Sequence, residues 1–384
     1  MSMERGFSRR HLLAGASGFG AAMVAGLPRA EAAMPTVDVV DTVSGPNFQA
    51  FWKSILIPRI RKELGINVRY TVGSGPTLQL QMKSWSQGHP EFSLLFIKGL
   101  DLSNMIVSGA ALEPLYPMQK AAIPNESMEP AAFMDANNGV KLDGKGLLFW
   151  RAQFDLIYNA KFVKNPPKTW KEFFDRRKEF HGHIGLIRPD AGSGGGRAFI
   201  YSFLTAFGVD FSKPFAEIEK SAAWKDAWAK FKLFSADLAQ PVASSPPVMF
   251  HQFQTEQVWI SVYAQDYSLW SASQGQLPPT LKASPLDVNI VGASNAWLSV
   301  PAVASAAQKA AAYKVMNFLI SPAAQLKMLE TMYQYPGTDA WKQAPASAWT
   351  KIPTVGAAEA HGIRITNLDA VTYIQKHGME HIAG

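Results

Sequence analysis

The sequence contains no cysteine. Disulfides, thiol nucleophiles, iron–sulfur clusters, thiolate zinc sites and a lipidated N-terminal cysteine are therefore excluded. Charge is sparse, with Asp, Glu, Lys and Arg making up 17% of 384 residues. The 37 basic and 30 acidic side chains are scattered, and no dense basic arm is present. That argues against nucleic acid as a partner. Past the N-terminus, no uncharged apolar run approaches the ~18 residues that a spanning helix needs. Gly (29) and Pro (25) are too dispersed for low complexity. Apolar mass is plentiful instead, at 47% hydrophobic and 11% aromatic residues. A chain of ~300 residues buries about 75% of its unfolded surface, so a core can hold it without disulfides. The length allows two domains, at about 100–200 residues each.

Residues 1–32 read as an export signal. Ser8-Arg9-Arg10-His11-Leu12-Leu13 resembles the twin-arginine signal, although Ala14 stands where lysine is usual. An ordinary secretory signal with two basic residues is the alternative. Leu12 to Leu27 is uncharged and rich in Gly and Ala, and Ala30-x-Ala32 is a small-residue cleavage pattern. Cleavage near Ala32 removes four arginines and two glutamates and leaves a small positive excess. The mature protein is expected to be soluble and periplasmic.

Strand and helix patterns then alternate. Thr36–Thr42 and Asn67–Val72 are β-branched strands, and Phe92–Ile97 is nearly all apolar, as a strand covered on both faces should be. Between the first two, Phe48, Phe51, Trp52, Ile55, Leu56 and Ile60 recur at helical spacing. The rhythm predicts a parallel sheet with right-handed crossovers. Leu147–Asn159 is a longer extended run, His183–Ile187 and Gln257–Tyr263 are further strands, and Ala306–Met332 is a helical stretch that Ser321-Pro322 should break.

Three loops carry glycine after a strand and before a helix: Ser44-Gly45-Pro46, Ser74-Gly75-Pro76 and Gly192–Gly196. In open α/β sheets, ligands bind outside the carboxyl ends of the strands, where helix N-termini offer unpaired N–H groups. The loops are either tight turns that need glycine or parts of one binding surface. In the third, Arg197 follows the glycines and adds a fixed charge.

The order of segments resembles the periplasmic solute-binding proteins of ABC importers. The nearest group is type II, which takes polyamines, iron or thiamine (extracellular solute-binding family 1). The likeness rests on Gly109-Ala110-Ala111-Leu112-Glu113-Pro114-Leu115, on Tyr158-Asn159 followed by Pro167-Lys168-Thr169-Trp170, and on Asn317-Phe318-Leu319-Ile320-Ser321-Pro322 with Gln325. It implies an α/β, two-lobed periplasmic-binding-protein type II fold: two mixed sheets flanked by helices and joined by hinge strands. Residues 34–150 would form the first part of lobe 1 and 151–262 lobe 2. Residues 263–384 would return to lobe 1 and supply the C-terminal helices. The implied function is capture of a small organic solute, anionic or zwitterionic, and its delivery to the permease and ATPase subunits in the inner membrane. The protein would act as a monomer, with no cofactor, metal or catalytic residue. A polyamine- or thiamine-type cation is the alternative solute, and a receptor-feeding role the alternative use.

The glycine loops offer Ser44, Gly45, Ser74, Gly75, Ser193, Gly194, Gly195 and Arg197 as ligand-binding candidates, and the resemblance adds Trp150, Arg151, Tyr263, Asp266, Asn295 and Trp297 at the family's crossings, with Tyr267 beside Asp266. Trp150 and Tyr263 offer flat faces, and Arg151 and Arg197 offer bidentate cations. Asp41 and Asp101, at strand ends, are reserve acids. From another class, His377, Glu380 and His381 match the H-x-x-E-H pattern of a zinc peptidase, although Gly378 interrupts it and the chain ends nearby. His181-x-His183 is either a metal pair or a strand-edge surface pair.

Overall fold

The computed structural model describes residues 34–292 and 295–382. The signal expected over residues 1–32, with Arg9-Arg10 and the cleavage near Ala32, lies outside the described residues. Within the unit that begins at Pro35, the chain builds two six-stranded sheets. The first runs in the order Tyr335–Pro336, Leu147–Arg151, Ala296–Ser299, Leu94–Lys98, Thr36–Asp41, Asn67–Val72. The second runs Gly362–Ile363, Asn289–Val291, Gln153–Asn159, Ile260–Ala264, Ile184–Gly185, with Leu281–Ser284 also paired to Gln153–Asn159.

The opening of the first sheet follows the sequence rhythm. Thr36–Asp41 pairs in parallel with both Asn67–Val72 and Leu94–Lys98. The crossover helix Pro46–Phe51 passes through a wide turn, Trp52–Leu56, into Ile57–Leu64. It buries Phe48, Phe51, Trp52, Leu56 and Ile60, the stripe read from the spacing. Gly65, at φ 64°, ends it in the left-handed conformation that glycine reaches without strain. The later helical stretch does break at Ser321-Pro322, into Ala306–Leu319 and Pro322–Met332, and Ser321 Oγ accepts the N–H of Ala324.

Each sheet has its own core. The first gathers around Trp52, Phe96, Phe149 and Trp297, the second around Trp170, Phe199, Phe203 and Phe234. Each sheet with its core is a lobe. The extended run Leu147–Asn159 crosses between them. It breaks at Ala152, so Leu147–Arg151 lies in the first sheet and Gln153–Asn159 in the second, all buried. Strand Asn289–Val291 lies in the second sheet and strand Ala296–Ser299 in the first, and the chain crosses again after Pro336.

The chain does not cross back at Tyr263–Tyr267. Strand Ile260–Ala264 and the next strand, Leu281–Ser284, both pair with Gln153–Asn159. Residues 263–384 are consequently divided between the lobes. Ala296–Ser299 and the two helices after it join the first. Asn289–Val291, Gly362–Ile363 and helix Leu368–His377 join the second, where Ala370, Val371 and Ile374 bury an apolar stripe. Among the described residues, no helix is long and apolar enough to cross a membrane.

Candidate functional site

Between the lobes lies a cavity of about 340 Å³. Its wall is made where strands end and helices begin. The loop Val43 to Gly45 follows the first strand and leads into the lining start of helix Pro46–Phe51, Lys98 ends the apolar strand Leu94–Lys98, and Gly192–Gly194 precede helix Gly195–Ala206. Pro246 and Asp266 stand at the starts of two more helices. Trp150, Ala152 and Phe154 enter from the first crossing, and Met332 and Gln334 from the end of helix Pro322–Met332.

The apolar part is an aromatic box. Phe48 packs edge-on against Trp150 at 4.2 Å between ring centroids, and Phe96 meets the same indole edge-on at 5.0 Å. Phe154 meets Tyr263 at 5.5 Å, and Phe250 backs both Tyr263 and Tyr267. Trp150 and Tyr263 are both buried and held by these contacts, so each presents a fixed face.

Polar groups are few. Asp41 does not reach the cavity. Its Oδ1 accepts the N–H groups of Val43 and Ser44, both at 2.8 Å, and its Oδ2 accepts the Tyr70 hydroxyl. It thereby fixes the Ser44–Gly45 loop that does reach it. Lys98 Nζ donates to the carbonyl of Gly192 at 3.1 Å, and burial lowers the lysine pKa. Gln334 Nε2 donates to Asp266 Oδ2 at 2.6 Å and to the carbonyl of Arg151 at 2.8 Å. Asp266 Oδ1 has no hydrogen-bond partner. Burial raises the Asp266 carboxyl to about 7, although Gln334 and the N–H groups at the helix start favour the carboxylate.

Of the residues expected at the site, Ser44, Gly45, Trp150, Ser193, Gly194, Tyr263 and Asp266 line the cavity, and Tyr267 joins them. Ser74 and Gly75 do not. Ser74 Oγ caps helix Gly75–Met82, and the carboxyl of Asp101 lies so close to Gly75 that a Cβ there would meet it, so a side chain of the protein already occupies that helix start. Gly195 packs on the Tyr263 ring, which a Cβ would approach to 2.6 Å, and Gly196 lies against the backbone of Ile187 to Pro189. These two glycines serve close packing. Arg197 is spent on its own loop, donating to the carbonyls of Pro189 and Ala191. Asn295 braces the crossings: its Oδ1 accepts the N–H of Ala152, and its carbonyl accepts that of Gly99. Trp297 is fully buried in a central strand of the first sheet.

Arg151 turns away from the cavity because it follows Trp150 on a strand, where neighbours point to opposite faces. Its Nε donates to the carbonyl of Pro336, and its Nη1 meets Glu359 Oε1 at 2.8 Å. The guanidinium is 2% exposed, and removing one member of such a pair costs about 3–5 kcal/mol when the other stays buried. Glu359 is 30% exposed and can hydrate, so Arg151→Met should fall at or below the lower end, about 3 kcal/mol. Chemical denaturation checks this, with solute affinity unchanged.

Lys98, Phe154 and Gln334 belong to the cavity but are not among the residues expected from the sequence. For Lys98 there was a signal: a lone charge ends an otherwise apolar strand just before Gly99. The H-x-x-E-H residues are engaged locally. His377 Nδ1 lies 3.0 Å from Glu380 Oε1, and His381 stacks on Trp228 at 3.9 Å. His181 meets buried Asp237, and His183 stacks on Trp259.

The sequence model of the bacterial extracellular solute-binding protein family matches residues 57–356. No curated protein matches the sequence. Solved structures share the fold. An ABC transporter substrate-binding protein from Bradyrhizobium japonicum aligns at TM-score 0.66 and 16% identity, over 91% of this chain and 97% of that one. The spermidine/putrescine substrate-binding protein of Streptococcus pneumoniae aligns at 0.67 and 13%, over 90% and 99%. A solute-binding protein from Thermotoga lettingae, bound with α-D-tagatose, aligns at 0.72 and 16%, over 91% and 95%.

Proposed function

The chain belongs to the bacterial extracellular solute-binding proteins, and we propose that it is the exported, periplasmic capture component of an ABC importer for a compact solute bearing a protonated amine. The N-terminal signal supports export, and the similarity to substrate-binding proteins of ABC transporters supports a membrane permease and ATPase as partners. The solute is a zwitterion or a simple cation. The expectation of an anion rests on the Gly192–Gly196 nest together with Arg151 and Arg197; Gly192–Gly194 line the cavity, but neither arginine does. One observation carries the amine: Asp266, a buried carboxyl with its Oδ1 unpartnered, is among the residues that line the aromatic box. A buried carboxylate oxygen without a donor is costly. An ammonium supplies that donor and gains cation–π attraction from the rings around it. Capture between lobes gives the solute contacts that exist only when they close, which is how a bound solute shifts the open–closed balance.

The test is calorimetric titration with putrescine, spermidine, γ-aminobutyrate and, as a neutral control, tagatose. An amine is expected to bind and tagatose not; the reverse would sink the proposal. Because Asp266 titrates at about 7, amine affinity should be flat above that pH and fall about tenfold per unit below it, with a proton released on binding. Without solute the sign is opposite. The folded-state pKa lies above the unfolded value of 3.8, so the stability this group contributes is complete below pH 3.8 and is lost as pH rises through about 7. Asp155, raised to about 7 by burial in the second lobe, adds the same slope.

A further inference from the structure

Lys98 is the cavity's basic side chain, and its partner is on the other lobe. The strand Leu94–Lys98 belongs to the first sheet, and its last residue reaches across to the carbonyl of Gly192, in the loop before helix Gly195–Ala206 of the second core. Arg197 of the second lobe stands near Lys98, which it repels, and near Asp101 of the first lobe, which attracts both cations. Asp101 lies against Gly75 of its own lobe, and Arg197 is tied to the carbonyls of its own loop. The loop that carries Gly192 is therefore held in place by its own lobe. The remaining polar ties around the cavity are of another kind. Asn295 to Ala152, and Gln334 to Arg151 and Asp266, sit at the crossings, where a hinge moves least.

We infer that Lys98 is a positioning residue, an interlobe latch whose ammonium grips the Gly192 carbonyl and holds the lobes together independently of any solute. A charge-assisted hydrogen bond of this kind is among the stronger contacts a protein makes, and it exists only when the two loops face each other. The latch sets how much of the population is already closed when a solute arrives. A solute's apparent affinity is reduced by the fraction of molecules not competent to bind, so the latch tunes the affinity for every solute by one common factor. It does not choose among them; Asp266 and the aromatic box do that.

The absence of cysteine makes the test clean, since spin labels attach only where cysteine is introduced. Val107 on the first lobe and Leu233 on the second are exposed, and V107C with L233C places one label on each. Distance distributions are measured by electron–electron resonance on the labelled mature chain with no solute added. The latch predicts a shorter-distance population whose ratio to the longer one drops roughly tenfold in Lys98→Met. Lys98→Gln, which keeps a neutral donor, should fall between, and Lys98→Arg should retain the shorter population. Identical distributions in the parent and Lys98→Met would overturn the inference. So would titrations in which Lys98→Met weakens γ-aminobutyrate but leaves putrescine unchanged, because Lys98 would then be reading a solute carboxylate. The distance measurement needs no ligand, so its outcome is separate from whether the amine proposal holds.

Discussion

Asp266→Asn is expected to weaken binding of putrescine or γ-aminobutyrate by roughly thirtyfold or more, with little change in fold. The substitution keeps the shape and can keep the bond from Gln334, because the amide oxygen accepts from the Gln334 Nε2 that now meets Asp266 Oδ2. The amide nitrogen then takes the place of Oδ1. It presents donors to a group that also only donates, and the negative charge is gone. Truncating one member of a buried, hydrogen-bonded charge pair costs about 2–5 kcal/mol, and each ~1.4 kcal/mol is tenfold in affinity. The same variant should lose the decline of amine affinity below pH 7, since the titrating group is absent. It should also be more stable than the parent at pH 8 without solute, where the buried carboxylate is a liability. Equal amine affinity in the two proteins would show that the cationic group sits elsewhere.

Gly196→Ala is expected to be among the most damaging single-methyl changes in the second lobe. A Cβ there would collide with the backbone of Ile187, Arg188 and Pro189, not with a flexible side chain. The helix Gly195–Ala206 and the Ile187–Pro189 segment would have to separate, and with them the carbonyls that Arg197 holds. Overpacking of this kind costs about 1–3 kcal/mol, and relief through backbone movement places it at the upper end. Gly192→Ala is the internal contrast. Its Cβ meets nothing within 4 Å, so stability should stay within ~0.5 kcal/mol of the parent. Thermal unfolding of the two variants side by side decides it. Similar melting temperatures would mean that the glycines of this run are interchangeable.

That pair of glycines also shows where sequence reading stopped. A turn at a ligand cavity and a helix packed backbone to backbone both select glycine, so Gly192–Gly196 looked like one feature and is two. Arg151 is a different case. The alternation of side chains along Leu147–Arg151 was available to show that Trp150 and Arg151 cannot both face one cavity, and an apparent fit to a cationic role obscured it. The break at Ala152 left no mark, because Leu147–Asn159 is apolar enough throughout to be buried in either sheet. The β-branched strands, the helical stripe from Phe48 to Ile60 and the break at Ser321-Pro322 were legible because local chemistry and tertiary packing agree there. The division of residues 263–384 between two lobes depends on which long-range strand pairs form, and local pattern does not carry that.

The most direct measurement is a crystal structure of the protein grown with the tightest-binding amine of the titration panel. The account predicts the amine nitrogen within hydrogen-bonding distance of Asp266 Oδ1, with its carbon chain against Trp150 and Tyr263. An occupant of the cavity that leaves Asp266 Oδ1 unpaired, or an amine bound outside the aromatic box, would contradict it.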